Sequence, residues 1–350
     1  MARGFGKMQK SLWITLTVLF VGIGAPAAHA DSLTITPTFD SSITGQAGAA
    51  GIEGAINSAI GAIESDIFSP NNITVNIYFQ TGSGLGNSLN GIYEPTYDQY
   101  YNAFKAVATN PDQLAALASL GTAPTSSISP NPVNGSAHVE ITSAEGRNLG
   151  FNTPAAVVVG AGTYDSQISL NTTITYPPNL NNGSNYGLQA VATHEIDEAL
   201  GIGGTGSFIG SNLFGNNGVG ALDLYRYSAP GVRSYSTTQT TSPYSYFSIN
   251  GGTTVLSYFN QTSGADYGDW LSNPIPAGYG PQVQDAFGVP GTNPSLGVNE
   301  LTAFEAIGYG LTLTAPPTPE PGTAVLWLTG IGLVSVMMRK RIAQGLPQTR

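Results

Sequence analysis

The spacing of hydrophobic positions changes several times along this chain, and each spacing indicates a different element. Isoleucines recur at three- and four-residue steps from Ile52 to Ile67, which predicts an amphipathic helix of about five turns. Residues 73–80 (ITVNIYFQ) alternate between apolar and polar side chains and include several β-branched residues, which predicts a strand. Residues 185–200 predict a second long helix, and the glycine that follows, Gly201, is typical of a helix C-cap.

The other segments complete the predicted order of elements. Further helices are predicted at 97–108, 111–120 and 297–307, and further strands at 137–142, 155–160 and 167–176. A polar lead-in is predicted at 31–49, loops at 82–91 and 121–136, a glycine-rich stretch at 203–220, short strands within 221–260 and proline-containing loops at 261–297. This order predicts one α+β domain, with a mixed sheet, an active-site helix and an irregular C-terminal lobe around a cleft.

Both ends of the chain have the pattern of targeting segments. Residues 1–30 combine a basic start, an apolar core and an Ala-His-Ala cleavage site, which predicts a secretory signal peptide rather than an N-terminal anchor. The body would then be 31–311, followed by a Pro/Thr linker at 312–321 that ends in Pro-Glu-Pro. Residues 322–341 hold an apolar run and a basic cluster, which predicts a transmembrane helix with 342–350 as a cytoplasmic tail.

This C-terminal arrangement resembles the PEP-CTERM sorting signal of Gram-negative bacteria that produce exopolysaccharide. The resemblance rests on Pro319-Glu320-Pro321, the apolar helix and the basic cluster Arg339-Lys340-Arg341. It implies that an exosortase-type enzyme is a partner of the tail. It also implies anchoring in the inner membrane before processing, followed by release to the cell envelope or extracellular matrix. The alternative is a permanent single-span anchor.

The composition of the body excludes several classes of protein. The body contains no Cys, so no disulfide framework is expected despite the predicted export. Four basic and 21 acidic residues lie between Asp31 and Glu320, a net charge of −17. Such a surface would repel nucleic acid and anionic lipid, while it is compatible with binding divalent cations. Simple solubility explains the same charge.

The candidate chemistry lies in residues 191–201 (VATHEIDEALG). His194 followed by Glu195 is the first half of the zinc-peptidase motif H-E-x-x-H, in which two His on one helix face bind a metal. Here the second His position is Glu198, and the third His position of the longer H-E-x-x-H-x-x-G-x-x-H motif is Gly204. The body holds only one other His, His138, so a site of three His within one chain is excluded.

A metal site remains compatible with these residues because carboxylates also bind zinc. His194 and Glu198 lie four residues apart and share a helix face, so they are the first two candidate ligands. Asp197 is an alternative to Glu198. Glu195 is the candidate general base, acting on a metal-activated water. Two carboxylates would give the site hard oxygen ligands, so a divalent metal other than zinc is an alternative.

The third ligand has to come from another segment of the chain. Asp223, in the LDLYRY segment, is the favoured candidate, with Glu305 and His138 as alternatives. The SGADYGDW segment places Asp266 and Asp269 among glycines. This pattern suits a structural calcium loop, although a plain cluster of Asx turns explains it as well.

The order of sheet, active-site helix, glycine turn and irregular lower half resembles the metzincin-type zinc peptidases. The chain is also similar to secreted metalloproteases that carry a PEP-CTERM tail, over roughly 73–310. The matching segments are THEIDEALG (193–201), GALDLYRYSAPGVRS (220–234), YFSINGGT (246–253), GDW (268–270) and LTAFEAIGY (301–309). The resemblance implies a metzincin-like fold and protease activity, with Tyr225 or Tyr227 as oxyanion stabiliser by analogy with metzincin tyrosines.

The leading hypothesis is therefore an exported, metal-dependent endopeptidase that hydrolyses protein or peptide substrates. The alternative is a catalytically inactive, peptidase-like binding or matrix protein of the exopolysaccharide layer, suggested by the missing His residues. A glycoside hydrolase with paired carboxylates is a third hypothesis, but nothing in the sequence selects the pair. No G-x-S-x-G elbow and no Gly-Lys-Ser/Thr phosphate loop occurs, which argues against serine hydrolases and nucleotide-binding proteins.

Overall fold

The structure, a computed structural model, describes residues 32–209, 218–237 and 244–312. The helices are α1 (Ser41–Thr44), α2 (Ala49–Asp66), α3 (Tyr97–Val107), α4 (Pro111–Ser119), α5 (Ser143–Asn148), α6 (Leu188–Leu200) and α7 (Val298–Ala306), with a 3-10 helix at Leu222–Tyr225. Among the described residues, none of the helices combines the length and the apolar character that crossing a membrane requires. The predicted signal peptide, sorting helix and cytoplasmic tail lie outside the described residues, as does all but the first residue of the predicted linker.

The strands are short and form several sheets. They are β1 (Leu33–Phe39), β2 (Ile67–Phe68), β3 (Ile73–Thr81), β4 (Gly86–Asn90), β5 (Ile92–Tyr93), β6 (Ile141–Thr142), β7 (Val157–Val159), β8 (Gly162–Tyr164), β9 (Ser166–Leu170), β10 (Thr175–Tyr176), β11 (Tyr186–Gly187), β12 (Arg226–Ala229), β13 (Val232–Arg233), β14 (Tyr246–Phe247), β15 (Ser257–Tyr258) and β16 (Gly310–Leu311). The mixture of helices and sheets confirms the predicted α+β class.

A four-stranded mixed sheet is the frame of the N-terminal part. Its strand order is β1-β3-β9-β4, with β1, β3 and β9 parallel and β4 antiparallel to β9 at one edge. Helix α2 packs against β1, α6 packs against β9 and β4, and the two helices contact each other. The isoleucines of α2 and the alternate residues of β3 form the core beneath them. The sheet therefore packs against α6 along its edge strand β4.

The structure differs from the sequence-based expectation at two edge strands. Strand β1 forms where a polar lead-in is predicted, and β4 forms within the predicted loop 82–91. Edge strands tolerate proline and polar residues, because one side of the strand has no ladder to complete. In β1, Pro37 stands where the apolar alternation of Leu33, Ile35 and Phe39 would continue, and the sequence GNSLN of β4 is too polar to show one.

The predicted strand at 137–142 shortens to β6, because its first residues pair only through isolated bridges with Thr96 and Gly220. Residues 143–148 form α5, a helix that the sequence-based assignment does not contain. The predicted strands at 155–160 and 167–176 are found as shorter pieces, β7, β9 and β10. The main predicted helices are confirmed by α2, α3, α4, α6 and α7.

The C-terminal lobe is built around one buried tryptophan. Trp270 is fully buried and packs against the rings of Phe247 and Phe259, with centroids 5.6 and 5.3 Å away. Its indole Nε1 donates a hydrogen bond of 3.0 Å to Glu300 Oε1 on α7. Because Trp270 is fixed on both its apolar and its polar side, the neighbouring residue Asp269 also has a fixed position. The antiparallel sheet β13-β12-β14-β15 supports this core.

Helix α6 ends at Gly201, as the sequence predicts. Gly201 has φ of 112°, in the left-handed region, and its N–H donates to the carbonyls of Asp197 and Glu198. A Cβ at this position would lie 2.6 Å from Glu145 Oε2. Both backbone conformation and space therefore require glycine here.

We expect Gly201→Ala to lower the free energy of unfolding by about 1–3 kcal/mol, because alanine is strained at positive φ and would also displace Glu145. The matched control is Gly54→Ala, on the exposed face of α2, where a Cβ would meet nothing within 4 Å. There alanine should raise the unfolding free energy by roughly 0.5–1 kcal/mol. Chemical denaturation of both variants measures the two effects, and equal effects at the two glycines would contradict this account of the cap.

Candidate metal centre

Helix α6 presents His194 and Glu198 to the same cavity. The two residues are one helical turn apart, and His194 Nε2 lies 3.5 Å from Glu198 Oε1. The side chain of His194 is 16% exposed and that of Glu198 is 6% exposed. The spacing in the sequence thus places an imidazole and a carboxylate side by side, as expected for two ligands on one helix face.

Asp269 completes the group from the loop that precedes Trp270. Its Oδ2 lies 3.7 Å from His194 Nε2, and the ligand atoms of His194, Glu198 and Asp269 all lie within 4.8 Å of one another. Ligands at zinc distances of about 2.0–2.2 Å in a tetrahedron are about 3.4 Å apart. The two separations from His194 Nε2, 3.5 and 3.7 Å, are close to that edge length, so the group could hold a divalent cation.

Each of the two helix ligands is oriented by a hydrogen bond on its far side. His194 Nδ1 donates to the backbone carbonyl of Val283 at 2.9 Å, which leaves Nε2 to face the group. Ser88 Oγ on β4 donates to Glu198 Oε2 at 2.5 Å, which leaves Oε1 on the side of His194. Such outer contacts fix the tautomer and the rotamer of metal ligands.

Glu195 faces the same cavity from the next position of the helix. Its side chain is buried, and its Oε2 has no hydrogen-bond partner among the described residues. Gly86 on β4 makes room for it, because a Cβ at Gly86 would collide with the carboxylate of Glu195. A buried carboxylate oxygen without a partner, one residue from the candidate ligands, is available to bind a proton or a water molecule.

The charges of the cavity are strongly unbalanced. Burial would lower the pKa of His194, but the carboxylates of Asp269, Glu198 and Glu195 outweigh it and raise that pKa well above its usual value. Burial, reinforced by Glu198, raises the pKa of Glu195 well above the usual range. Burial also raises the pKa of Asp269 well above the usual range, and it raises the pKa of Asp266 to about 6. A divalent cation would offset this negative charge.

The glycines after α6 allow the loop of Asp266 and Asp269 to approach closely. A Cβ at Gly204 would collide with Glu198 Oε1 and would lie 2.9 Å from Asp266 Oδ2. A Cβ at Gly268 would collide with the carbonyl of Gly203. The backbone itself, rather than side chains, therefore sets the distance between α6 and this loop.

The site opens into a cavity of about 590 Å³, in the range of small-ligand and peptide-side-chain pockets. Strand β4, helix α6 and residues 281–289 contribute to its wall, and five acidic side chains line it. None of the cavity-lining residues in the described ranges is Lys or Arg. The acidic residues are Glu195, Glu198, Asp266, Asp269 and Asp285.

Asp223, the favoured third ligand in the sequence analysis, lies elsewhere. It is fully buried in the 3-10 helix, where its Oδ2 accepts a hydrogen bond of 3.0 Å from the N–H of Gly220. Its Oδ1 lies 3.8 Å from the guanidinium of the buried Arg226. A buried guanidinium needs a negative partner, and Asp223 serves that purpose. Asp269 takes the place at the metal centre that the sequence analysis gives to Asp223.

His138, Glu305 and Asp197 also lie away from the converging ligand atoms. His138 Nδ1 contacts the carbonyl of Glu94 at 3.3 Å, and Glu305 lies on α7, where burial and Asp112 raise its pKa to about 7. Asp197 is fully buried and does not line the cavity. None of these three belongs to the group of candidate ligands among the described residues.

The two candidate oxyanion stabilisers, Tyr225 and Tyr227, do not line the cavity either. Both are fully buried, and burial raises the pKa of Tyr225 well above its usual value. The guanidinium of Arg233 lies over the ring of Tyr227, 4.3 Å from the centroid. The described structure therefore places both tyrosines in the core and not at the cavity, and the oxyanion role implied by the resemblance stays a prediction.

Sequence reasoning missed three contributors to the site: Ser88, Val283 and Gln284. Asp269 appeared only as part of a possible calcium loop, together with Asp266. The one available signal was the acidic, glycine-containing segment 264–269 that precedes a tryptophan, because a buried tryptophan fixes its neighbours. A backbone carbonyl such as that of Val283 leaves no signal in a sequence.

No protein-family model, curated protein or solved structure matches this chain. The candidate site therefore rests on the geometry of the chain itself.

The two aspartates can be separated by experiment. We expect Asp269→Asn to weaken zinc binding by about 100-fold or more, since even outer contacts of a metal site are worth 10–100-fold. Asp223→Asn should leave zinc affinity unchanged while lowering the unfolding free energy by about 3 kcal/mol, because Arg226 loses its buried partner. Competition with a chromophoric chelator and thermal denaturation measure the two quantities. Loss of zinc affinity in Asp223→Asn alone would reverse the assignment.

Proposed function

We propose that this protein is an exported, metal-dependent endopeptidase, with zinc as the favoured cation. The observation that carries the proposal is the convergence of His194 Nε2, Glu198 Oε1 and an Asp269 oxygen within 4.8 Å, beside the carboxylate of Glu195. One helix and one loop thus place a nitrogen and two oxygen donors next to a buried base. The metzincin-like fold belongs to the same proposal and is supported by the position of the sheet beneath α6.

A bound divalent cation would polarise a substrate carbonyl and lower the pKa of water at the site. The side chains of His194, Glu198 and Asp269 would bind this cation, and three protein ligands are the number that catalytic zinc sites use. Val283 and Ser88 would keep the two helix ligands in their productive orientation, through the hydrogen bonds described above.

Glu195 would act as the general base. Its Oε2 is buried and has no hydrogen-bond partner in the part of the chain that the structure describes, so it can accept a proton from the attacking water and hold it until the leaving amine takes it. Burial and the neighbouring Glu198 raise the pKa of Glu195 well above its usual range, and a bound cation would oppose that shift by favouring the carboxylate. The residue beside the first ligand is therefore suited to move a proton.

The shape of the cavity favours a polypeptide substrate. Strand β4 lies at the edge of its sheet and contributes Gly86, Asn87 and Ser88 to the cavity wall. An extended peptide can add to such an edge through main-chain hydrogen bonds, which bind a peptide regardless of its sequence. The acidic wall would favour neutral or basic side chains near the cleaved bond.

Export remains part of the proposal on the grounds given in the sequence analysis. The signal peptide, the sorting helix and the exosortase partner depend on residues outside the described ranges. Inner-membrane anchoring before processing, and release to the envelope or matrix afterwards, are proposed together with them.

The decisive variant is Glu195→Gln in the full chain. We expect it to keep zinc affinity within about threefold and to lower the rate of hydrolysis of a fluorescent casein substrate by about 10²–10⁴-fold, the typical contribution of a general base. Glutamine keeps the size of the side chain but cannot accept the proton. The matched control is Glu53→Gln on helix α2, outside the cavity, which should leave both quantities unchanged.

Hydrolysis that persists in Glu195→Gln at the wild-type rate would refute the catalytic assignment. Wild-type protein that binds stoichiometric zinc but does not cleave any of a broad set of unfolded proteins would favour the second hypothesis, a peptidase-like binding or matrix protein. That second function shares the metal centre, so zinc binding alone does not separate the two.

A further inference from the structure

A fourth polar side chain, that of Gln284, reaches the candidate metal centre from the C-terminal lobe. Gln284 is fully buried. Its amide Nε2 lies 3.3 Å from His194 Nε2 and donates to Asp269 Oδ1 at 3.2 Å. The amide group therefore borders the same point in space as the three candidate ligands.

The position of this side chain is fixed by its own backbone. The carbonyl of Gln284 accepts a hydrogen bond of 2.8 Å from the N–H of Trp270, the residue after Asp269. The preceding carbonyl, that of Val283, accepts from His194 Nδ1 at 2.9 Å. The carbonyls of residues 283 and 284 are thus hydrogen-bonded to helix α6 and to the loop of Asp269, which carry the candidate ligands. The approach needs Gly203, because a Cβ there would collide with the Gln284 amide.

The other end of the amide is left without a partner. Gln284 Oε1 is buried and has no hydrogen-bond partner among the described residues. The nitrogen and oxygen of an amide have almost the same size, so rotation by 180° exchanges them without a change in packing. After that rotation Oε1 would take the place of Nε2, at the observed separations from His194 Nε2 and Asp269 Oδ1.

The favoured orientation of the Gln284 amide depends on whether a cation is bound at the site. Without a cation, an amide N–H is favoured at this point, because the carboxylate of Asp269 accepts a hydrogen bond from it. With a divalent cation held by the same neighbours, an N–H would point at positive charge and an amide oxygen would be favoured. Amide oxygens are common ligands of divalent cations in proteins.

From this geometry we infer that Gln284 is a further metal ligand, through Oε1, after rotation of its amide. The inference rests on the proposed function, because it uses the same metal centre. The donor set then consists of one imidazole nitrogen and three oxygens, from His194, Glu198, Asp269 and Gln284. Zinc can expand to five ligands during catalysis, so this set leaves a position for water.

The competing role for Gln284 is that of a hydrogen-bond donor that only positions His194 and Asp269. Two substitutions distinguish the roles. Gln284→Leu removes both the oxygen and the N–H groups, and it should weaken zinc binding by about 10–100-fold in either role. Gln284→Glu keeps an oxygen in place but provides no donor when ionised. A ligand role predicts wild-type or tighter zinc binding in Gln284→Glu and an altered cobalt spectrum in Gln284→Leu. The added charge favours a cation in either role, so the spectrum decides: a donor role predicts that Gln284→Leu keeps the wild-type cobalt spectrum.

The experiment measures zinc dissociation constants of the full chain at pH 8 by competition with a chromophoric chelator. The matched control is Gln80→Leu on β3, outside the cavity, whose amide donates to Ser169 Oγ instead of contacting His194. It should stay within about twofold of the wild type. The visible absorption of the cobalt-substituted proteins gives a second readout, which should change in Gln284→Leu and stay unchanged in Gln80→Leu, because only the first loses an oxygen ligand.

Weak zinc binding in Gln284→Glu would overturn the ligand role, and so would wild-type binding in Gln284→Leu. His194→Ala separates this failure from failure of the proposed function. If His194→Ala abolishes zinc binding and both Gln284 variants bind normally, the metal centre stands and only the further ligand is refuted. If the wild-type chain binds no zinc, or binds it equally well without His194, both proposals fall.

Discussion

The candidate site depends on electrostatic repulsion among several carboxylates that share a buried cavity with a single imidazole. Glu195, Glu198 and Asp269 are almost fully buried, Asp266 stands beside Glu198, and only His194 can carry positive charge among them. Like charges at short distance in a poorly solvated space repel strongly. Protons or a cation have to offset this repulsion, and the raised pKa values of Glu195, Asp266 and Asp269 express the same demand. The geometry of His194, Glu198 and Asp269 could hold a metal ion that offsets it.

The surrounding structure keeps His194 and these carboxylates close together despite the repulsion. The sheet fixes α6 along strand β4, and Ser88 on that strand orients Glu198. The tryptophan core of the C-terminal lobe fixes Asp269, while backbone contacts between Gly203 and Gly268 set its distance from the helix. Hydrophobic burial around Trp270 thus supplies the free energy that brings Asp269 into an acidic cavity. The N-terminal part contributes His194 and Glu198 and the C-terminal lobe contributes Asp269, so the candidate site depends on both.

Local features of the sequence predicted the part of this arrangement that depends on local physics. The period of isoleucines located α2, and the HEIDE motif with Gly201 located α6 and its two ligands, because helix spacing and caps are properties of neighbouring residues. Strand β4 escaped prediction because it lies at a sheet edge and is built from small polar residues. Asp269 and Asp223 could not be ranked, because both are aspartates in loop-like sequence. Asp223 pairs with Arg226, only three residues away, and both are buried in the folded chain. Long-range packing brings Asp269 to His194.

Gly204 limits which metal ligands could occupy this site. It occupies the position at which the longer zinc-peptidase motif has its third His, and its Cα faces Glu198 and Asp266 so closely that even a methyl group would collide with them. A histidine at 204 therefore has no room while Glu198 keeps its present place. A histidine at 198 alone would lose the carboxylate that Ser88 holds, without gaining the third imidazole. Conversion of this site to three imidazoles therefore requires positions 198 and 204 to change together, because Glu198 has to be replaced before a side chain at 204 has room. The carboxylate on the helix and the glycine after it form one sterically linked unit.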